Sequence, residues 1–178
     1  LTLGWWNTSL SPPKGREVSE KDQNFALKIV GDLLGEGVDV LGLCEVSIDD
    51  VKKIETELGS LGYGVIYALD PAGLSKFDLA LVYRLSKVTC VGGSPWTSAF
   101  GKTTFRTGYP IEVTTLDGEK IYVVMCHWPG RRFYPAQNKN RNRIAIDMRS
   151  KLLELMSNGV KDIVIMGDFN DEPFDQNI

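Results

Sequence analysis

The 178 residues have an ordinary globular composition, 43% hydrophobic and 24% charged, and predict a single domain over 1–178 with a real core. No apolar run approaches the roughly 20 residues of a membrane-spanning helix, which excludes a transmembrane segment. The net charge of −3 argues against a surface covered with phosphate contacts. Three cysteines without zinc-ligand spacing argue against a disulfide framework and fit a cytoplasmic protein.

Strand and helix patterns alternate along the N-terminal part of the chain. Residues 1–7 predict a strand, 11–15 a loop and 38–46 a buried strand. Between the two strands, Ser19 and Asp22 form a capping-box pattern that starts a helix. The apolar stripe of this helix consists of Phe25, Ile29, Val30 and Leu33, and the helix ends at Gly35 and Gly37. This alternation predicts helices packed on a sheet.

A second helix and a group of strands follow. The helix starts at Ser47 and Asp50, with Val51, Ile54 and Leu58 facing inward. The predicted strands are Tyr63–Leu69, Leu79–Arg84, Pro110–Thr115 and Lys120–His127. Asp117 and Gly118 are a strong hairpin signal between the last two, so the sheet is not purely parallel. Residues 92–106 are predicted to be irregular and to form part of a rim.

The C-terminal part adds one long helix and one strand. The helix is predicted from Pro135 to Ser157 and ends at Gly159, and the strand covers 161–167. The inward residues of the helix are Ile144, Met148, Leu152 and Leu155. Helices covering mixed sheets predict an α/β layered sandwich.

Polar residues follow several of the apolar runs directly. Asn7, Glu45, His127, Asp168 and Asn170 each come at the end of a predicted strand. Strands that end at one edge of a layered fold would bring these side chains together. We therefore expect them to be neighbours in a metal-assisted site for phosphate chemistry.

Carboxylates at strand ends are candidate metal ligands. Glu45 follows an apolar strand, where a carboxylate must be solvated, paired or metal-bound. As an oxygen ligand it suits Mg²⁺, which uses few protein carboxylates and keeps several waters. Asp168 could bind metal or accept a proton from water, and Asn170 could hold a phosphate oxygen. A salt bridge or solvated end for Glu45, and an Asx turn for Asp168 and Asn170, are the structural alternatives.

The basic residues after His127 are candidate phosphate contacts. His127 is the only histidine, and Arg131 and Arg132 follow it closely. The segment between Pro129 and Ile146 carries five basic residues and no acid. They are Arg131, Arg132, Lys139, Arg141 and Arg143. Such a patch suits a ligand that bears phosphate, and the alternative is a solvated helix face.

A cysteine hydrolase is a weaker alternative. Cys126 precedes His127 directly, so in a strand the two side chains point to opposite faces and cannot form a catalytic pair. Cys44 has no special sequence context.

Four segments together resemble the endonuclease/exonuclease/phosphatase superfamily, whose fold is that of deoxyribonuclease I. The resemblance extends over residues 6–173, essentially the whole chain, with the motifs in the family's order. The segments are Trp6-Asn7, Leu43-Cys44-Glu45, Cys126-His127-Trp128-Pro129-Gly130-Arg131 and Gly167-Asp168-Phe169-Asn170-Asp171-Glu172-Pro173. The resemblance implies a four-layer αββα sandwich with mixed, largely antiparallel sheets.

The resemblance also implies Mg²⁺- or Mn²⁺-dependent cleavage of a phosphoester by water. By analogy, Glu45 binds the metal, supported by Asn7, and Asp168 contacts the metal or activates the water. Asn170 contacts phosphate, and His127 stabilises the phosphate or assists the leaving group. Arg131 and Arg132 are further phosphate contacts.

Members of the superfamily continue to a terminal Ser-Asp-His motif, whereas the sequence given ends at Ile178. The resemblance therefore predicts a domain that is incomplete at its C-terminus, with strands missing from the second sheet. Poor catalysis by this fragment is one expectation, and a non-catalytic binding module or inactive fragment is the corresponding alternative.

The expected substrate is DNA or RNA. The basic stretch from Arg131 to Arg143, with Phe133 and Tyr134, could bind a nucleic acid backbone and stack on a base. Inositol lipids, sphingomyelin and nucleotides are alternative substrates within the same superfamily.

Overall fold

The computed structural model of the protein describes residues 1–10, 18–132, 134–135 and 138–172. The helices are α1 (Glu20–Gly35), α2 (Ile48–Gly59) and α3 (Lys139–Ser157). The strands are β1 (Leu3–Asn7), β2 (Val40–Cys44), β3 (Tyr63–Ala68), β4 (Pro71–Ala72), β5 (Ser75–Lys76), β6 (Leu79–Arg84), β7 (Val88–Gly92), β8 (Trp96–Phe100), β9 (Thr103–Thr115), β10 (Lys120–His127) and β11 (Ile163–Asp168). The loop predicted over 11–15 and the side chain of Phe133 lie outside the described residues.

Two mixed sheets form the middle of the molecule. The first has the strand order β1-β2-β6-β3, and the second has the order β11-β10-β9-β7, with β8 also paired to β9. In each sheet one outer pair is parallel, β1 with β2 and β10 with β11. The other pairs along these two paths are antiparallel. The predicted mixed, largely antiparallel character is confirmed.

The sheets pack face to face, and helices cover their outer faces. The apolar core between the sheets includes Leu79 and Leu81 from the first sheet and Ile111 and Met125 from the second. A second cluster lies between the first sheet and the helices α1 and α2. A third joins α3 to the second sheet through Val124. These layers confirm the predicted αββα sandwich.

The N-terminal helices begin where the sequence predicts. Ser19 caps α1 by accepting a hydrogen bond from the backbone of Asp22, and Ser47 and Asp50 form a reciprocal capping box at α2. The predicted inward face of α2 is confirmed, because its apolar residues are buried. These buried residues are Val51, Ile54 and Leu58.

The predicted stripe of α1 is confirmed at Val30 and wrong at Phe25, while Ile29 and Leu33 are half-buried. Phe25 is 65% exposed, whereas Ala26, Val30 and Leu34 are buried. These three residues repeat every four positions and include a small alanine, which carries little weight in a search for bulky apolar residues. The exposed aromatic ring therefore lies outside the core.

Residues 92–106 were predicted to be irregular, and most of this segment is instead a hairpin. Strand β8 pairs antiparallel with the start of β9, with Ser98 opposite Phe105. Gly101 has a φ of +62° in the connecting turn, a conformation that glycine adopts without strain. Strand β9 starts at Thr103, before the predicted start at Pro110, and pairs with both β8 and β10.

The remaining predictions are close to the structure. The hairpin at Asp117 and Gly118 joins β9 to β10 as expected, with Gly118 at φ +90°. Helix α3 starts at Lys139, after the cap residue Asn138, rather than at Pro135. Its inward residues Ile144 and Met148 are buried, while Leu152 and Leu155 are half-buried. No helix in the described part of the chain is both long and apolar enough to cross a bilayer.

Candidate active site

Strand direction brings the polar strand ends to one rim of the sandwich. In the first sheet Asn7 lies opposite Cys44 in a parallel pair. Asn7 and Glu45, which follows Cys44 in the chain, therefore leave the sheet at the same edge. In the second sheet His127 lies opposite Asp168, again in a parallel pair. The four side chains therefore meet at one end of the two sheets, as the sequence predicted.

The side chain of Asn7 joins the two sheets. Its Nδ2 donates to Glu45 Oε1 at 3.1 Å and to Asp168 Oδ2 at 3.1 Å. Its Oδ1 accepts from the backbone of Ser9 at 3.0 Å, which sets the orientation of the amide. One neutral donor thus holds two carboxylates that would otherwise repel each other.

The backbone of Glu45 has an unusual conformation. Its φ is +59°, in the left-handed region that residues other than glycine rarely occupy. The carbonyl of Glu45 accepts from Thr8 Oγ1 at 3.0 Å, and the same hydroxyl lies 2.9 Å from the carbonyl of Cys44. Backbone strain of this kind concentrates at functional sites, where surrounding contacts maintain it.

His127 belongs to a second polar group at the same rim. Its Nδ1 lies 2.9 Å and 3.0 Å from the two carboxylate oxygens of Asp78. Arg106 Nη1 donates to Asp78 Oδ1 at 2.8 Å, and Arg106 also binds the carbonyl of Lys76. The Nε2 atom of His127 faces Glu45, with 3.9 Å between Nε2 and Oε1. The carboxylate of Asp78 therefore orients the imidazole so that Nε2 faces Glu45.

The charge state of Asp78 follows from its neighbours. Burial alone would raise the pKa of Asp78, but the hydrogen bond from His127 and the charge of Arg106 hold it below its usual value. An ionised Asp78 requires a proton on His127 Nδ1. The Nε2 atom is then the position at which His127 can exchange a proton or a hydrogen bond with a ligand.

Asp78 and Arg106 are missing from the residues predicted from sequence. Asp78 directly precedes a strand rather than ending one, but β6 runs antiparallel to β2 and starts at the rim where β2 ends. The backbone confirms this proximity, because Val46 donates to the carbonyl of Asp78 at 3.3 Å. An acid placed directly before an apolar strand was the available signal. Arg106 offered only a single charge at the end of the segment 92–106, which was predicted to be irregular.

Asp168 and Asn170 form a tight turn. The backbone nitrogen of Asn170 donates to Asp168 Oδ1 at 2.8 Å, and Asn170 has a φ of +52°. The Asx turn, one of the two readings of this motif, is therefore present. It coexists with the contact between Asp168 Oδ2 and Asn7. Asn170 Nδ2 donates to the carbonyl of Trp128 at 3.0 Å, which ties the turn to the segment after His127.

The basic residues after His127 differ in exposure, since Arg132, Lys139 and Arg143 are exposed and Arg131 is half-buried. Arg141 is completely buried, and Arg143 lies 3.9 Å from Asp147 and over the ring of Phe100. Arg131 Nε donates to the carbonyl of Asn170 at 2.9 Å, and its Nη1 donates to Glu172.

Tyr134, expected to stack on a base, packs instead on the ring of Phe105. The ring centroids are 5.2 Å apart and the planes are nearly perpendicular. This contact belongs to the core between α3 and the second sheet, which makes the predicted nucleic-acid surface smaller than the sequence suggested.

The cysteines do not contribute a nucleophile. Cys126 is buried against α3, and burial raises the pKa of its thiol. Burial, followed by the nearby Asp78, Asp168 and Glu45 carboxylates, raises the pKa of Cys44. Both thiols stay protonated at neutral pH, whereas nucleophilic attack needs a thiolate. The hydrolase alternative based on cysteine therefore has no support in the site.

The oxygen atoms at the rim fit a hard divalent cation. Within the described residues, no three His, Cys, Asp or Glu side chains cluster closely enough to form a metal cage. Glu45 is 27% exposed at its side chain, and no lysine or arginine of the described ranges pairs with Glu45 or Asp168. Mg²⁺ commonly uses one or two carboxylates and completes its coordination with water and substrate oxygens. Glu45 and the nearby Asp168 fit that pattern, with Asn7 bound to both carboxylates.

The fold is an αββα sandwich of two mixed sheets covered by helices, with the polar strand ends at one rim. A family model described as "Endonuclease/Exonuclease/phosphatase family" matches residues 14–178. The chain belongs to this family of phosphoesterases. No curated protein sequence matches it.

Solved structures share the fold at low sequence identity. A mannosyl-6-phosphatase from Bacteroides thetaiotaomicron superposes with a TM-score of 0.69 and 18% identity, over 99% of this chain and 68% of that one. D. rerio TDP2 complexed with a single-strand DNA product superposes with a TM-score of 0.60 and 16% identity, over 97% of this chain and 61% of that one. ANGEL2, a 2′,3′-cyclic phosphatase, superposes with a TM-score of 0.58 and 24% identity, over 82% of this chain and 44% of that one. The chain thus spans less than two thirds of the length of the last two structures.

Proposed function

We propose that the protein is a Mg²⁺- or Mn²⁺-dependent phosphodiesterase that hydrolyses nucleic acid. The observation that supports this most strongly is the pair of hydrogen bonds from Asn7 to Glu45 and Asp168, beside the oriented imidazole of His127. Together these groups offer a metal ligand, a base for water and a donor for phosphate. Phosphoester hydrolysis needs such a combination, because no single group lowers so high a barrier enough.

Glu45 would hold the metal, with Asp168 nearby and Asn7 fixing both carboxylates. When bound, the metal supplies positive charge that neutralises phosphate oxygens and favours ionisation of water. Asp168 would orient the attacking water and take its proton. A bond forms between the water oxygen and phosphorus while the ester bond to the leaving oxygen breaks.

His127 and the turn at Asn170 would act on the phosphate. With Nδ1 held by Asp78, His127 Nε2 can donate a hydrogen bond to a non-bridging oxygen or a proton to the leaving oxygen. Asn170 Nδ2 keeps a second hydrogen beside the one given to Trp128, which suits a contact to a phosphate oxygen. Arg131 and Arg132 are proposed as further phosphate contacts at the rim.

The TDP2 structure that contains a DNA product supports a nucleic acid substrate, although its identity is only 16%. Two observations favour a second candidate, a phosphatase for a small phosphate ester. Arg141 is buried and Tyr134 packs in a core, which removes two groups from a surface that a polynucleotide would contact. The similarity to a mannosyl-6-phosphatase fold agrees with this candidate.

The experiment that tests the proposal is nicking of supercoiled plasmid, with Mg²⁺ or with a chelator. Glu45→Gln is the decisive variant, because it keeps the shape of the side chain and removes the negative charge. We expect nicking that needs both Mg²⁺ and Glu45. Folded wild-type protein that releases phosphate from a sugar phosphate but leaves the plasmid intact would support the second candidate, and no turnover of either substrate would contradict both.

A further inference from the structure

Arg141 is a charged side chain in the interior of the protein. It lies in the first turn of α3, and its side chain is fully inaccessible to solvent. It is among the largest completely buried side chains of the described residues. Burying a guanidinium is costly unless its hydrogen bonds are made within the protein. The groups that the Arg141 guanidinium contacts therefore indicate its role in the fold.

The guanidinium joins two loops that leave the second sheet. Nη1 donates to the carbonyl of Pro129, two residues after His127. Nη2 donates to the carbonyl of Phe169 at 2.6 Å, the residue between Asp168 and Asn170. A planar fork with donors on two nitrogens can reach both carbonyls at once. The two loops are thereby held against the start of α3.

A buried carboxylate accompanies the fork. Asp171 is fully inaccessible at its side chain, and its Oδ1 lies 2.6 Å from Arg141 Nη2. Asp171 follows Asn170 directly, so the charge pair holds the same loop a second time. Arg131 Nε, which binds the carbonyl of Asn170, lies 3.8 Å from the same oxygen.

We propose that Arg141 is a positioning residue for the active site, and this inference rests on the proposed function. Through the carbonyls of Pro129 and Phe169 it sets the spacing between the loop that follows His127 at the end of β10 and the turn that follows Asp168 at the end of β11 and contains Asn170. Its side chain is fully buried, so it acts through these two segments rather than at the surface of the site. A displacement of these groups by about 1 Å is sufficient to slow an enzyme strongly.

The variant that isolates this role is Arg141→Lys. Lysine keeps the positive charge beside Asp171, but its single nitrogen cannot bind both carbonyls in the arginine geometry. The matched control is Arg149→Lys, the same substitution at an exposed position of the same helix. A second variant, Arg141→Met with Asp171→Leu, removes both buried charges, so that neither remains unpaired.

Two readouts test the placement independently of each other. The first is turnover, where Arg141→Lys should lower kcat roughly tenfold or more with little change in KM. The second is the NMR signal of His127, which is unique in an untagged chain because the sequence has one histidine. This imidazole signal should shift in Arg141→Lys and in the double variant, and stay in place in Arg149→Lys.

The outcomes separate this inference from the proposed function. A folded Arg141→Lys variant with unchanged kcat and an unchanged His127 signal would overturn the inference and leave the proposed function intact. If the wild-type protein shows no turnover, the proposed function fails, and the His127 signal alone decides the placement. Failure of both Arg141 variants to fold would assign the residue to stability and would also overturn the inference.

Discussion

Asn7 and Asp168 lie in different sheets and 161 positions apart, yet Asn7 Nδ2 donates to Asp168 Oδ2 at 3.1 Å. The same nitrogen donates to Glu45, so one amide bridges the sandwich at its functional rim. The first strand of the chain is therefore coupled to the last described strand through a polar contact. The site depends on how the two sheets pack, in addition to the conformation of each loop.

Replacement of Asn7 by alanine should damage the site more than the fold. Glu45 and Asp168 lose their shared donor and repel each other, so we expect turnover to fall by roughly 10- to 100-fold. The free energy of unfolding should fall by only about 1–2 kcal/mol. Steady-state kinetics and urea denaturation measure the two effects. Asn24→Ala, on the exposed side of α1, is the control, and equal losses in both variants would contradict the prediction.

Substitution of Asp78 by asparagine should produce a stability loss that depends on pH. The pKa of Asp78 is held below its ordinary value of 3.8 in the folded protein. Its ionised form therefore stabilises the fold above pH 3.8, and this contribution is lost as the pH falls through the lower folded pKa. We expect Asp78→Asn to cost about 1–3 kcal/mol at pH 7 and progressively less at strongly acidic pH.

Urea midpoints at pH 7 and at pH 3 measure this difference. The exposed Asp162→Asn variant is the control, since it removes a carboxylate without a buried partner. The gap between wild type and Asp78→Asn should shrink between the two pH values. An undiminished gap at pH 3 would show that the Asp78 charge is not its source.

Gly167 should not tolerate a side chain. A Cβ at this position would lie 2.2 Å from the carbonyl oxygen of Cys126, so β11 would have to move away from β10. We expect Gly167→Ala to cost about 1–3 kcal/mol and to displace Asp168 from His127. Gly31→Ala is the matched control, because its Cβ would meet nothing within 4 Å and alanine favours the helix. The melting temperature should be lower for Gly167→Ala than for Gly31→Ala. Equal melting temperatures would contradict the predicted clash.

Two apolar residues of α1, Phe25 and Leu34, should contribute very differently to stability. Phe25 is 65% exposed, whereas Leu34 is completely buried. We expect Phe25→Ala to change the free energy of unfolding by less than about 0.5 kcal/mol and Leu34→Ala to cost about 2–5 kcal/mol. Urea denaturation measures both, and a reversed order would restore Phe25 to the core.

The sequence predicted those parts of the site that follow strands. Apolar runs with a polar residue at the exit located Asn7, Glu45, His127 and Asp168, because parallel strands deliver their ends to one edge. Cap residues similarly predicted the starts of α1 and α2. These signals lie within a few consecutive residues, so they are recognisable without the tertiary structure.

The missed features depend on tertiary arrangement. Asp78 reaches the rim because β6 runs antiparallel to β2, and no short segment reveals that pairing. Arg141 was assigned to a basic patch, although it precedes Ile144 and Met148 at helical spacing and shares their buried face. Because Arg141 is charged, a search for apolar residues at helical spacing did not include it in the buried face. Buried ions are recognised from the groups that surround them, which only the fold provides.

Paramagnetic broadening by Mn²⁺ tests most directly whether Glu45 binds a divalent metal beside His127. The chain has one histidine, whose Nε2 lies 3.9 Å from Glu45 Oε1, so its imidazole signal reports on a metal at this carboxylate. We expect Mn²⁺ to broaden the signal, Mg²⁺ to reverse the effect by competition, and Glu45→Gln to abolish it. A signal that stays sharp with Mn²⁺, or that broadens equally in Glu45→Gln, would contradict the assignment.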